Sequence, residues 1–377
     1  MPDVPLPPSA AHRWGPGGCP ASAGLEATYP DHEDSPARRE GDAYGWYVAQ
    51  TIAGVPLSVG TLAPNGQPLT QEMVDCAADV LRDIRDTQRT VPHAVTRLEE
   101  PMDASATVHP ANKGRPDVYI LDDVNRRLHL WENKFGHRYV DAFENWQCLD
   151  YAAMIFECNG VQPQDWPAWS ITVTIAQPRN YHPDGTLREW FFTGAQLVAY
   201  VDRLAIAAAL AQGERPAMAT GDHCRDCSAR HVCPALERAS MRLVDMSYHG
   251  LPVELPPAAL GLELRIIRDA IKRLGARAEG LEAAALAKAK SGVDIPHWRA
   301  EYSMGRERWR DEVSTDDVLL LGDMYGVDLR QPVKAITPAQ AKKAGVDPAA
   351  IEGFAHKPRG AMTLVPFDGA DVAKRFG

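Results

Sequence analysis

The chain has 377 residues, 45% of them hydrophobic, enough for one large core plus an appended region and too many for a single minimal domain. With 50 acidic against 40 basic residues its formal charge is −10, which excludes coating nucleic acid through bulk positive charge; any such contact needs a local basic surface. No apolar run approaches a membrane span and the Pro-rich start lacks the order of a signal peptide, so no membrane and a cytoplasmic location are expected.

Residues 1–39, rich in Pro, Gly and Ala, read as an extended or loop-like lead-in that carries Cys19. Helical spacing begins over 40–50 and returns over 71–89, where Met73, Ala77, Val80, Leu81 and Ile84 share a face. Residues 117–134 read as a β-hairpin turning at 122–126, followed by a helix over about 142–158. Strands are expected over 170–176 and 189–193 and an apolar helix over 196–212, so strands and helices intermix and the fold class is α/β.

A turn centred between Val124 and Asn125 sets Asp117 opposite Glu132, Tyr119 opposite Leu130 and Leu121 opposite Leu128. Alternation adds Lys134 to that face, so an apolar surface ends in two carboxylates and an amine. Carboxylate oxygens are what Mg²⁺ prefers, and such a pair makes physical sense when a cation sits between its charges. Lys134 could orient water and stabilise charge on a phosphate. Gln147 and Tyr151, four apart on the next helix, share a face and could bond DNA phosphate or the lysine.

Seven cysteines, an odd number, favour free thiols or metal ligands over disulfides. Cys224-x2-Cys227-x5-Cys233 suggests zinc or an iron–sulfur cluster, the fourth ligand being His223, His231 or a distant cysteine such as Cys19. Cys76, Cys148 and Cys158 are expected to be core thiols. After a linker at 252–257 the chain turns helix-rich. There Leu264, Ile267, Ile271 and Leu274 form an apolar stripe beside Arg265, Arg268, Lys272, Arg273 and Arg277, a solvated face or a DNA backbone contact.

Gly114-Arg-Pro-Asp117, Glu132-Asn-Lys134, Gln147-x3-Tyr151 and an early cysteine paired with the late triplet together resemble the RecB-like PD-(D/E)xK nucleases, including the AddB and CRISPR-associated branches. The resemblance implies a restriction-endonuclease-like core, a central mixed sheet flanked by helices. It implies catalysis by Asp117, Glu132, Lys134, Gln147 and Tyr151 with Mg²⁺ or Mn²⁺. It further implies a 4Fe–4S cluster held by Cys19, Cys224, Cys227 and Cys233, with Zn²⁺ the alternative. The chain is also similar, over nearly its whole length, to a phage and prophage family catalogued as a domain of unknown function. Ser9-Ala-Ala-His-Arg-Trp14, Glu40-Gly-Asp-Ala43, Thr337-Pro-Ala-Gln-Ala341 and Lys357-Pro-Arg-Gly-Ala-Met-Thr-Leu-Val-Pro366 carry that similarity.

These resemblances imply a DNA exonuclease or end-processing nuclease of phage or prophage origin, acting in the bacterial host cell with DNA and a phage single-strand annealing or recombination protein as partners. Where RecB-like enzymes carry a metal-ligating histidine this chain has Gly45, so Glu40, or else Glu99 or Glu100, is the expected third ligand. Rival readings are a catalytically weakened nuclease fold retained for DNA binding or assembly, and a zinc-stabilised regulator. The expected organisation is a lead-in over 1–39, a nuclease domain over 40–245 closed by the cysteines, and a helix-rich region over 258–377.

Overall fold

Two of the long helices start where a hydroxyl side chain satisfies one of their first N–H groups. In the computed structural model, Ser35 accepts from Arg38 N to open α3 (Pro36–Ile52), with Pro36 at the first position, and Thr70 does so from Met73 N for α4 (Gln71–Thr90). The structure describes residues 4–30, 35–180, 182, 185–247 and 256–300, together with 316–317, 319–320 and 324. The chain divides into a unit of Met1–Arg299 and a unit of Ala300–Gly377. In the second, the described residues 316–317, 319–320 and 324 are helical, whereas 337–341 and 357–366 lie outside the described residues, as does most of the 252–257 linker. The strands and the cysteines all belong to the first unit.

The segment expected to be loop-like contains short helices, a turn at Pro8–Ala10, α1 (Ala11–Trp14) and α2 (Ser22–Thr28). They are too short for periodicity to reveal. Burial holds them instead: Leu6, Ala11 and Trp14 are sealed in the core, and Trp14 Nε1 donates to Pro7 O at 3.0 Å.

Beyond α4, β1 (Val95–Leu98) leads through a small pair, β2 (Met102–Asp103) and β3 (Lys113–Gly114), to β4 (Val118–Asp122) and β5 (Arg127–Asn133). Then come α5 (Trp146–Cys158), β6 (Ser170–Ala176), β7 (Leu187–Thr193) and α6 (Gly194–Ala211). Five strands form one mixed sheet in the order β1-β4-β5-β6-β7; β5 and β6 run parallel, joined by the α5 crossover, and the other neighbours are antiparallel. Pairing of Tyr119 with Leu130 and Leu121 with Leu128 gives the hairpin register expected from its turn.

Alternation sorts the sheet's two faces. Tyr119, Leu128, Leu130 and Val173 join a core with Trp14 and with Ile155 and Phe156 of α5; Val118, Ile120 and Trp131 face Tyr44, Met73 and Ile84 of α3 and α4. The fold is thus α/β, with helices on both faces of a mixed sheet. α5 starts at Trp146, not near 142, because Asn145 caps it by accepting from Cys148 N at 3.2 Å. α6 has the length and composition of a membrane span, and its face at Leu197, Val201, Leu204 and Ala208 is buried in the core.

Beneath that core, burial pushes the Asp150 carboxyl up to about 7 against the opposing bond from Asn112, whose Nδ2 reaches it at 2.9 Å. The same amide donates to Leu6 O, tying the lead-in to α5. Because the folded value lies above the unfolded one, the favourable contribution is complete at acid pH and is lost as pH rises through about 7. Stability should therefore fall by roughly 1 kcal/mol between pH 6 and 8 from this group alone. Asp150→Asn should flatten that slope in urea titrations at the two pH values; an unchanged slope would refute the assignment.

Candidate functional site

Hairpin register brings the acidic residues together at one end of β4 and β5. Asp117 Oδ2 accepts from Asn133 N at 2.7 Å, so the strand opposite fixes its carboxylate. Glu132 Oε1 accepts from Lys134 Nζ at 2.7 Å and from Gln147 Nε2 at 2.8 Å, while Lys134 Nζ also donates to Gln147 Oε1 at 2.8 Å. Lys134 stays at this end because its backbone N–H donates to Ala176 O of the parallel neighbour. Tyr151, one turn on from Gln147, lies beside it and the Arg115 backbone. Gly114 lets this happen: a Cβ there would sit 2.8 Å from the Tyr151 ring and from Pro8.

The electrostatics are those of a site short of positive charge. Asp117's carboxyl is raised well above its ordinary range, first by burial and then by the Glu132 charge, against the Asn133 N–H and Lys134. Burial would lower Lys134, but the charge and hydrogen bond of Glu132, with Asp117 behind, outweigh it and raise it above normal, so the amine stays protonated. Burial pushes the Tyr151 phenol up and keeps it neutral. Glu132 Oε2 is buried with no hydrogen-bond partner. An anionic oxygen left so is costly unless a cation meets it.

These five residues line a cleft of about 930 Å³. Asp42 of α3 and Glu99 line it too; Glu99 turns through φ 46° so that its N–H meets Asp117 O, and its charge adds to the raising of Asp117. Gly45 faces open space, where a side chain would meet nothing within 4 Å. Glu40 does not join the carboxylate pair: its Oε2 pairs with Arg179 at 2.7 Å, and Arg179 also holds Glu72. Glu100 instead accepts from Tyr119 Oη and Arg97. Asp42 was not singled out in the sequence, although its place three residues before Gly45 on one helix offered the signal.

The four cysteines converge. Cys19, Cys224, Cys227 and Cys233 line one small cavity together with His223, and all four thiols are buried. Cys19 Sγ accepts from Ala219 N and Cys224 Sγ from Gly221 N, both at 3.4 Å. Burial raises Cys224, and pushes Cys227 up to about 12, so bare thiols there are neutral. His231 Nδ1 is 3.0 Å from Ser228 O and lies outside that lining. Among the described residues no three His, Cys, Asp or Glu side chains already converge on one ion. Of the remaining cysteines, Cys148 is buried beside Glu132 and Lys134, Cys76 is half-buried, and Cys158 is exposed, contrary to its expected place in a core.

α7 (Pro234–Ser247) and α8 (Pro257–Lys290) follow. α8 meets the cysteine segment through Ala276, Gly280 and Arg277, whose Nη1 donates to Arg230 O and His231 O. Small residues allow that approach, and the apolar stripe at Ile267, Ile271 and Leu274 is exposed. Arg265 and Arg268 are exposed on the same helix; Lys272 pairs with Asp222 at 2.8 Å.

A family model described as "Protein of unknown function (DUF2800)" matches residues 4–371. No curated protein matches the chain. Among solved structures, the crystal structure of SSO0001 is 15% identical, covering 62% of this chain and 88% of its own, with a TM-score of 0.30. That of a protein named "Putative exonuclease" from Eubacterium rectale is 11% identical, covering 67% and 91%, with a TM-score of 0.36. Likeness at that level leaves function to be argued from the site.

Proposed function

The chain belongs to the DUF2800 family, and we propose that it is a metal-dependent deoxyribonuclease of the RecB-like PD-(D/E)xK type, an exonuclease or end-processing enzyme of phage or prophage origin. The observation that carries this reading is Glu132: one oxygen is fixed by Lys134 and Gln147 while the other is buried without a partner, beside an Asp117 raised by the same charge. A hard-oxygen pair of this kind fits Mg²⁺ or Mn²⁺, and Asp42 and Glu99 line the same cleft as candidates for a further ligand. The cation would polarise a phosphoryl oxygen and make hydroxide accessible near neutral pH.

Lys134 remains protonated, and so can hold the attacking water against Glu132 or meet developing charge on phosphate. Gln147 orients both partners and Tyr151 in turn braces Gln147. Lys134→Met should slow cleavage by about 10²–10³-fold without weakening DNA binding comparably. Equal losses in both would assign the lysine to binding.

Four buried cysteines lining one small cavity support a soft-metal group there, an iron–sulfur cluster with zinc as the alternative. Backbone N–H donation to sulfur suits thiolates. The deciding experiment digests linear, nicked and circular DNA with Mg²⁺, Mn²⁺ or EDTA. Metal-dependent products from wild type that Asp117→Ala fails to give support the enzyme; identical behaviour leaves a DNA-binding or assembly protein.

A further inference from the structure

We propose that Asp226 is a positioning residue that couples the four-cysteine loop to the carboxylate cleft, by holding Arg138 at the cleft mouth to receive a phosphate of the entering strand. The identity of that strand rests on the nuclease reading; the geometry does not. Arg138 is the one residue common to the linings of that cleft and of a neighbouring cavity of about 730 Å³ bounded by residues 219–226 and 271–279. Its Nη1 donates to Asp226 Oδ1 at 2.7 Å and its Nη2 to Oδ2 at 2.8 Å. Asp226 sits between the ligand candidates Cys224 and Cys227, and His12, in the segment leading to Cys19, brings Nε2 to 3.3 Å of Oδ2.

The other end of Arg138 is fixed as firmly. Gln177, at the end of β6 and 1% exposed, donates through Nε2 to the carbonyls of Gly136 and Arg138 and accepts from Val140 N at 3.1 Å. The loop after Lys134 is therefore pinned from the sheet, and the guanidinium from the cysteine loop. A lone surface ion pair leaves long side chains free to wander, whereas a two-pronged fork fixes plane and direction. Asp226 takes two of the five N–H groups, and the rest of the fork suits phosphate. The cleft's four carboxylates, Asp42, Glu99, Asp117 and Glu132, share its lining with Arg38, Arg115, Lys134 and Arg138, so Arg138 is one of the cations that offset them as a phosphate strand approaches.

The test uses the metal-loaded full chain and a 5′-fluorescein-labelled 20-nucleotide oligonucleotide, with Kd measured by anisotropy in Ca²⁺ and cleavage in Mn²⁺. Asp226→Asn should raise Kd about tenfold while bound metal per chain and melting midpoint stay put, and Asp226→Glu should recover most of the loss. Arg138→Ala should weaken binding as much and lower the slope of log Kd against log salt by roughly 0.7–0.9. The double variant should bind no worse than Arg138→Ala alone, because the carboxylate acts only through the guanidinium. Additive losses, or wild-type affinity in both single variants, would overturn the coupling. Arg138→Ala changes no residue of the cysteine loop itself, so wild-type affinity in that variant overturns it even where Asp226→Asn sheds metal. A tenfold effect on Kd without cleavage by wild type would sink the nuclease reading alone, and no binding by any variant would sink both.

Discussion

Asp117→Asn is expected to lower DNA cleavage by at least roughly 10³-fold, the scale of several kcal/mol of charge stabilisation that a correctly held cation supplies. The substitution keeps the oxygen that accepts from Asn133 N, so the hairpin keeps its register. It removes one of two buried charges whose mutual repulsion and desolvation already oppose Asp117's ionisation. Metal-free Asp117→Asn should therefore melt at the same temperature as wild type or higher, whereas Mn²⁺ should raise the midpoint of wild type only. A variant that melted lower and still responded to Mn²⁺ would place the cation elsewhere.

Cys224→Ser should be the most damaging change to stability. Cys19 and the late cysteines lie roughly two hundred residues apart along the chain yet share one cavity, so a cluster held between them closes a long loop. By the loop-entropy relation used for disulfides, such a closure contributes about 5 kcal/mol, which for a domain of this size means on the order of 10 °C in Tm. Loss of brown colour and of absorbance near 400 nm should accompany that drop, with Cys19→Ser indistinguishable from Cys224→Ser. Cys158→Ser, altering an exposed thiol bonded to the Asp103 carbonyl at 3.4 Å, should change neither. If all three variants melted alike, the thiols would be bystanders.

Much of the carboxylate site was legible because its information is local. A turn at Asp122–Arg126 and strict alternation placed Tyr119 against Leu130, and with them the charged end of the hairpin. Helical spacing likewise put Gln147 and Tyr151 on one face toward Lys134. Glu40 went astray because its partner, Arg179, arrives from beyond β6 and also gathers Glu72, a pairing that no spacing along the chain encodes. Glu99 reaches the cleft through an unusual backbone turn, and the close contact of α8 comes from Ala276 and Gly280, small residues that carry no periodic signal. Spacing left Cys19 as one of three candidates to join the late triplet, and only the resemblance selected it.

The burial of Leu6, Trp14 and Cys19 carries a consequence for synthesis. Val4 bonds Gln212, and Ala219 bonds Cys19, so the partners of this segment leave the ribosome about two hundred residues after it. At roughly 5–20 residues per second that is a wait of about 10–40 s during which the oxidisable Cys19 thiol stands uncovered. Translation speed thus becomes a determinant of yield, and slow expression should deliver aggregate before it delivers a folded but inactive protein.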